Sequence, residues 1–194
     1  MSILIVGSVA YDDIITPFAS RKYCLGGSAV YFALACHHFD DVHLVGVVGD
    51  DFRASDRRLL LEHGIHTEGL VTKPGRTFYW KGEYLANWND RVTHDTKLNV
   101  FEQFDPVLPD AAKQCRFVFL GNIDPVLQGK VLDQVDGKPY VALDTMNYWI
   151  NNHRANLIKT LKRVDLLVIN DSEAMQLSGE RHLVDAARTI FEMG

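Results

Sequence analysis

Five short runs of consecutive apolar residues decide which folds are open to this chain. They are residues 2–9 (Ser-Ile-Leu-Ile-Val-Gly-Ser-Val), 42–48, 117–120, 140–143 and 166–169. A run that is apolar at every position, not every second one, suits a strand covered on both faces. None is long enough to cross a bilayer. Between them the spacing predicts helices over about 29–38, 52–63, 109–114, 125–135, 151–163 and 181–193. Another begins at Asp171 or Ser172, and a short strand over 65–71 follows the Gly64 stop. Strands alternating with helices mean an α/β fold, a mostly parallel sheet with helices on both faces.

One region breaks the rhythm. Thr77-Phe78-Tyr79-Trp80-Lys81-Gly82-Glu83-Tyr84 alternates, with Phe78, Trp80 and Tyr84 on one face and Thr77, Lys81 and Glu83 on the other. That is the mark of a half-exposed, antiparallel-type strand. Residues 86–99 are polar, with a turn signal at Asn89-Asp90. Residues 14–25 are mixed and contain Pro17. Segments 14–25 and 72–100 read together as a small β lid on a single α/β core spanning 1–194.

The chain of 194 residues carries a net charge of −5 with no basic stripe, which argues against nucleic acid or an anionic membrane as partner. The N-terminus reads as a strand, without the charged start and cleavage site of a signal peptide. Three widely spaced cysteines, Cys24, Cys36 and Cys115, fit reduced thiols and a cytoplasmic protein. His37 and His38, at helical spacing, point about 100° apart and cannot share an ion. Neither Gly-x-x-x-x-Gly-Lys-Ser/Thr nor Gly-x-Gly-x-x-Gly after a strand occurs, which argues against a P-loop enzyme and a dinucleotide-binding domain. No Gly-x-Ser-x-Gly elbow supports a hydrolase.

Polar residues gather where the predicted strands end. Asp12 follows the first, Asp50 and Asp51 the second, Asn122 and Asp124 the third, Asp144 and Asn147 the fourth, Asn170 and Glu173 the fifth. Ligands of open parallel sheets bind beyond these ends. Carboxylates and amides there suit sugar hydroxyls or a hydrated Mg²⁺. For Asp50, Asp51 and Asp171 helix capping is the plainer reading. Gly26-Gly27-Ser28 opens an apolar segment that reads as a buried helix capped by Ser28, and two adjacent glycines allow a close approach to the backbone.

This ordered set resembles the ribokinase-like (PfkB) sugar and nucleoside kinases. Gly7-Ser8-Val9-Ala10-Tyr11-Asp12 is similar to the family's first strand and substrate aspartate. Gly26-Gly27-Ser28-Ala29 is similar to its di-glycine segment, continued by Leu44 through Asp51. Residues 77–84 resemble part of its lid, and Asn170-Asp171-Ser172-Glu173-Ala174 its Asn-x-x-Glu motif. Where the family often has asparagine after the di-glycine, this chain has Tyr31.

The resemblance implies a phosphotransferase that uses ATP and Mg²⁺ to phosphorylate a hydroxyl of a small sugar or nucleoside. Asp12, Gly26, Gly27, Ser28, Tyr31, Phe78, Trp80 and Asn122 would line the substrate. Asn170, Glu173 and Asp144 would serve the nucleotide, the first two holding Mg²⁺ through water. Lids of the family often meet across a dimer, so the resemblance also implies a homodimer through the lid. Family members run on by roughly another hundred residues, which carry Gly-Ala-Gly-Asp with the catalytic base. That motif is absent here, so the C-terminal part of the fold reads as missing. The 194 residues are then expected to be inactive alone. The alternative is a non-catalytic sugar- or nucleoside-binding module derived from the same fold.

Overall fold

The computed structural model describes residues 2–88 and 90–194; Asn89, half of the predicted turn signal, lies outside them. In chain order the elements are β1 (Ser2–Val6), β2 (Ala10–Ile15), β3 (Ser20–Gly26), α1 (Ser28–Cys36), β4 (Asp41–Val48), α2 (Ala54–Glu62), β5 (His66–Thr72), β6 (Phe78–Tyr84) and β7 (Arg91–Lys97). A 3-10 turn (Asn99–Gln103) follows, then α3 (Asp110–Lys113), β8 (Phe117–Leu120), α4 (Pro125–Leu132), β9 (Tyr140–Asp144), α5 (Asn147–Asn152), α6 (Arg154–Leu161), β10 (Leu166–Val168), α7 (Asp171–Ser178) and α8 (Leu183–Phe191).

The chain divides into two compact units. One comprises residues 1–6 and 106–194, the other 7–105. Six strands are parallel, as the continuous apolar runs demand: β10-β9-β8-β1 in order in the first unit, and β4-β5 in the second. In the first unit Leu4, Ile5, Val6, Val118, Leu120, Val141 and Leu143 are buried, and Ile123, Val131, Ile150, Leu157 and Leu177 are buried on its loops and helices. The strand read as buried at 166–169 departs from expectation. Leu166 and Val168 are 46% and 53% exposed, because β10 borders β9 alone.

The second unit also holds a four-stranded sheet, ordered β3-β2-β6-β7. The first predicted strand, 2–9, is thus shorter than its apolar run. β1 stops at Val6, and Ala10 begins a strand of this other sheet. β2 runs antiparallel to β3 and parallel to β6, and β6 antiparallel to β7. The predicted helix over 151–163 is two helices, broken at His153.

The histidines also differ from expectation. α1 ends at Cys36, so helical spacing does not govern His37 and His38, and their rings lie 3.7 Å apart. His63 stacks edge-on against His37 at 4.7 Å. Among the described residues no group of three or more His, Cys, Asp or Glu could hold a metal ion. No helix among them is long and apolar enough to cross a membrane.

Candidate functional site

Asp12 is not at the end of a parallel strand, as the sequence suggested, but inside β2. Its register partners are Cys24 on β3 and Trp80 on β6, and Trp80 in turn pairs with Thr96 on β7. Directly opposed residues share a sheet face, so Cys24, Asp12, Trp80 and Thr96 form one row. Asp12 is 8% exposed. Among the described residues its carboxylate has no hydrogen-bond or ion-pair partner. Burial, reinforced by the charge of Asp13, pushes its pKa up to about 6. A Cβ at Gly26 would collide with that carboxylate and displace it. The oxygens of Asp12 keep access to the surface, so hydroxyl donors of a ligand would reach them.

Tyr31 belongs to the same surroundings. It is 55% exposed on α1, which is therefore not the fully buried helix its composition suggested. Its phenol is raised by burial first, then by Asp12, Tyr84 and Cys24. Trp80 and Tyr84 meet edge to face at 6.3 Å. Phe78 lies on the same face of β6, but its ring stacks on Phe101 at 5.3 Å, and Phe101 stacks on Phe104. That packing accounts for Phe78 without a ligand.

Ser28 does not cap α1. The N-cap is Gly27, at φ 97°, a left-handed conformation that favours glycine. A Cβ there would strike the carbonyl of Ser8. Ser8 closes the helix start instead. Its Oγ accepts from Ser28 N at 3.0 Å, its carbonyl accepts from Ala29 N at 3.1 Å, and its Oγ lies 3.2 Å from Ser28 Oγ. The cap comes from 20 residues upstream, a contact no local pattern reveals.

Asp50 and Asp51 are not helix caps either. Asp50 accepts from Gly75 N at 3.0 Å, and Asp51 from both Thr77 N and Thr77 Oγ1 at 2.7 Å. They clamp the loop that enters β6. Tyr11 is buried; its hydroxyl donates to Asp56 at 2.6 Å and accepts from Arg53 N at 2.8 Å, which ties β2 to the start of α2. Burial, aided by Asp56, raises that phenol's pKa.

The remaining candidates lie in the first unit. Asn122 Oδ1 accepts from the indole of Trp149 at 2.8 Å. Gln128 Nε2 donates to Gly121 O at 2.9 Å and to Asp144 O at 3.0 Å, joining the chain after β8 to the end of β9. Gln128 Oε1 and Thr145 Oγ1 are buried there without partners. Such polar atoms suit an ordered water. Asn170 and Glu173 come together as a reciprocal capping box. Asn170 Oδ1 accepts from Glu173 N at 2.9 Å, and Glu173 Oε2 accepts from Asn170 N at 3.1 Å. Asn170, not Asp171, is thus the cap of α7. Hard carboxylate and amide oxygens fit a Mg²⁺ held through water, and Glu173 Oε1 stands outside the cap.

Sequence reading missed Ser8, Cys24, Gly82 and Thr93 as neighbours of the site. The alternation at 78–84 already carried Tyr84; for Ser8 and Cys24 no signal existed without the strand register.

No family model matches the chain. A cytidine kinase of Thermococcus kodakarensis is 25% identical over 199 residues, covering 100% of this chain and 70% of that protein. The nucleoside kinase of Methanocaldococcus jannaschii, a solved member of the ribokinase family, superposes with a TM-score of 0.76 at 19% identity, over 97% of this chain and 67% of the other. Ribokinase of Cryptococcus neoformans, solved with ADP, gives 0.72 at 17% identity, over 98% and 67%. The chain has the ribokinase-like fold. The proteins it resembles are nucleoside and carbohydrate kinases of the ribokinase/PfkB group.

Proposed function

We propose that this chain carries the substrate-binding part of an ATP-dependent kinase that phosphorylates a hydroxyl of a nucleoside. The observation that carries the reading is the carboxylate of Asp12 beside Gly26, on a residue 8% exposed, with no partner among the described residues and its oxygens still open to a ligand. Ionised, Asp12 would accept hydrogen bonds from the vicinal hydroxyls of a ribose, and Tyr31 and Trp80 would border the same ligand. The likeness to a cytidine kinase and to a nucleoside kinase supports a nucleoside over a free sugar.

ATP, when bound, supplies the γ-phosphoryl group, and Mg²⁺ would offset its charge. Asn170 and Glu173 would hold the ion through water and Asp144 would serve the nucleotide, while Asn122 would border the substrate. Asp12 positions the acceptor and removes no proton. The base that would deprotonate the attacking hydroxyl has no candidate here, since Gly-Ala-Gly-Asp does not occur in the 194 residues. Three free cysteines agree with a cytoplasmic setting. The stacked, exposed pair Phe18 and Trp88, 6.1 Å apart at the tips of the four-stranded sheet, supports a homodimer through the lid.

The test is calorimetric titration with cytidine, uridine, inosine, adenosine and ribose, followed by a phosphotransfer assay with ATP. One nucleoside should bind, and Asp12→Asn should abolish that binding. Absence of nucleoside binding by the wild type would remove the reading.

A further inference from the structure

We infer that Gly82 and Thr93 are positioning residues that hold the Trp80 indole flat on the sheet as a stacking surface for the base of a nucleoside. The inference rests on the nucleoside reading above and adds to it where the base lies and what prepares its place.

The indole of Trp80 lies across Gly82, two residues along β6 on the same face. A Cβ at position 82 would collide with the six-membered ring, at Cη2 and Cζ2. Any other residue would lift the ring off the sheet. The indole N–H donates to Thr93 Oγ1 at 3.2 Å. A bulge makes this bond available. Pairing runs Lys81 with Asp95 and then Gly82 with Thr93, leaving His94 as the extra residue of β7. Without the bulge, His94 would stand opposite Gly82. Instead its Nε2 pairs with Glu83 Oε2 at 2.9 Å, and Glu83 belongs to the opposite face of β6. Tyr84 restrains the ring by its edge-to-face contact. Three independent contacts therefore fix the plane of one half-buried tryptophan, more than filling space requires.

The plane also sits in a suitable place. Trp80 is the register partner of Asp12, and its ring extends toward Gly82, about 6–7 Å further along the strand. A ribose held by its hydroxyls at Asp12 would project its base over such a plane. A free pentose held at the same carboxylate is too small to cover it. Base–aromatic stacking tolerates every base, so this surface selects nucleosides over sugars and leaves the choice among bases to other groups.

The experiment uses the full chain with Gly82→Ala, Thr93→Val, Thr93→Ser and Trp80→Phe. In the ligand-free protein, the indole N–H resonance identified by its loss in Trp80→Phe should exchange faster in Thr93→Val and keep its protection in Thr93→Ser. In calorimetry, Gly82→Ala and Thr93→Val should weaken the best-binding nucleoside at least tenfold, Thr93→Ser less than threefold, and ribose should change less than twofold in all. Unchanged nucleoside affinity in both Gly82→Ala and Thr93→Val, with binding still abolished by Asp12→Asn, would overturn this inference and leave the nucleoside reading standing. A wild type that binds no nucleoside would remove both. Should Gly82→Ala fail to fold, Thr93→Val against Thr93→Ser decides alone.

Discussion

The carboxylate of Asp12 occupies the space that a side chain on Gly26 would fill. Gly26 pairs with Ala10 and Asp12 with Cys24, so the two residues lie diagonally across β2 and β3, two positions apart on the same face. Gly26→Ala should push the carboxylate out of place while the strands stay paired. We expect unchanged circular dichroism and at least a tenfold loss of nucleoside affinity, about 1.4 kcal/mol. Titration calorimetry reads it directly, and full affinity in Gly26→Ala would separate Asp12 from the ligand.

Asp12 also gives the protein a pH signature. Its folded pKa is about 6, above the ordinary 3.8 of an aspartate, chiefly through burial. The folded chain therefore binds more protons than the unfolded chain between about pH 4 and 6, and stability falls as pH rises through that window. Asp12→Asn should melt higher than wild type at pH 8, on the order of 2–4 °C for each kcal/mol removed, and equal to it at pH 4. Ligand affinity should run the other way, increasing as Asp12 ionises across pH 6. Parallel melting curves of the two proteins across this range would contradict the assignment.

Gly27 is a backbone requirement. Its φ of 97° and the carbonyl of Ser8 both exclude a side chain. Gly27→Ala should cost roughly 1–3 kcal/mol, read by urea unfolding, and should loosen the start of α1 in hydrogen exchange.

The capping box of α7 lets two roles be separated. Asn170→Ala removes an N-cap and should cost about 1 kcal/mol. Glu173→Gln keeps an acceptor for Asn170 N but removes the charge. It should leave the melting temperature within a degree or two of wild type and weaken Mg²⁺-dependent nucleotide binding in the full-length protein. Equal nucleotide affinity with and without the charge would reduce Glu173 to a helix cap.

Tyr11→Phe deletes both the donor to Asp56 and the acceptor for Arg53 N. Leaving a charged acceptor and the N-cap amide of α2 without it should cost about 1.5–3 kcal/mol, measured by chemical denaturation.

The α/β class was legible because a strand covered on both faces needs an unbroken apolar run, and five such runs stood out. The strand at 78–84 of the four-stranded sheet was legible because one covered face imposes a period of two. The hydroxyl-binding role proposed for Asp12 came by resemblance, but its location inside β2 did not. The apolar run through Val9 hid the break after Val6, since Val9 in the link and Ala10 and Tyr11 in β2 are themselves buried. Local pattern also misassigned the caps. Ser28 has the right chemistry for an N-cap and Asp171 the right place, yet Ser8 and Asn170 do the capping.

By itself the sequence determined the kinds of element and marked Gly26-Gly27 as a place of close backbone approach, because periodicity and backbone freedom are properties of neighbouring residues. The row Cys24–Asp12–Trp80–Thr96, the indole laid over Gly82 and the serine that closes α1 from 20 residues away were decided only by the tertiary structure. Strand register and burial create them, and both are set by which distant segments meet.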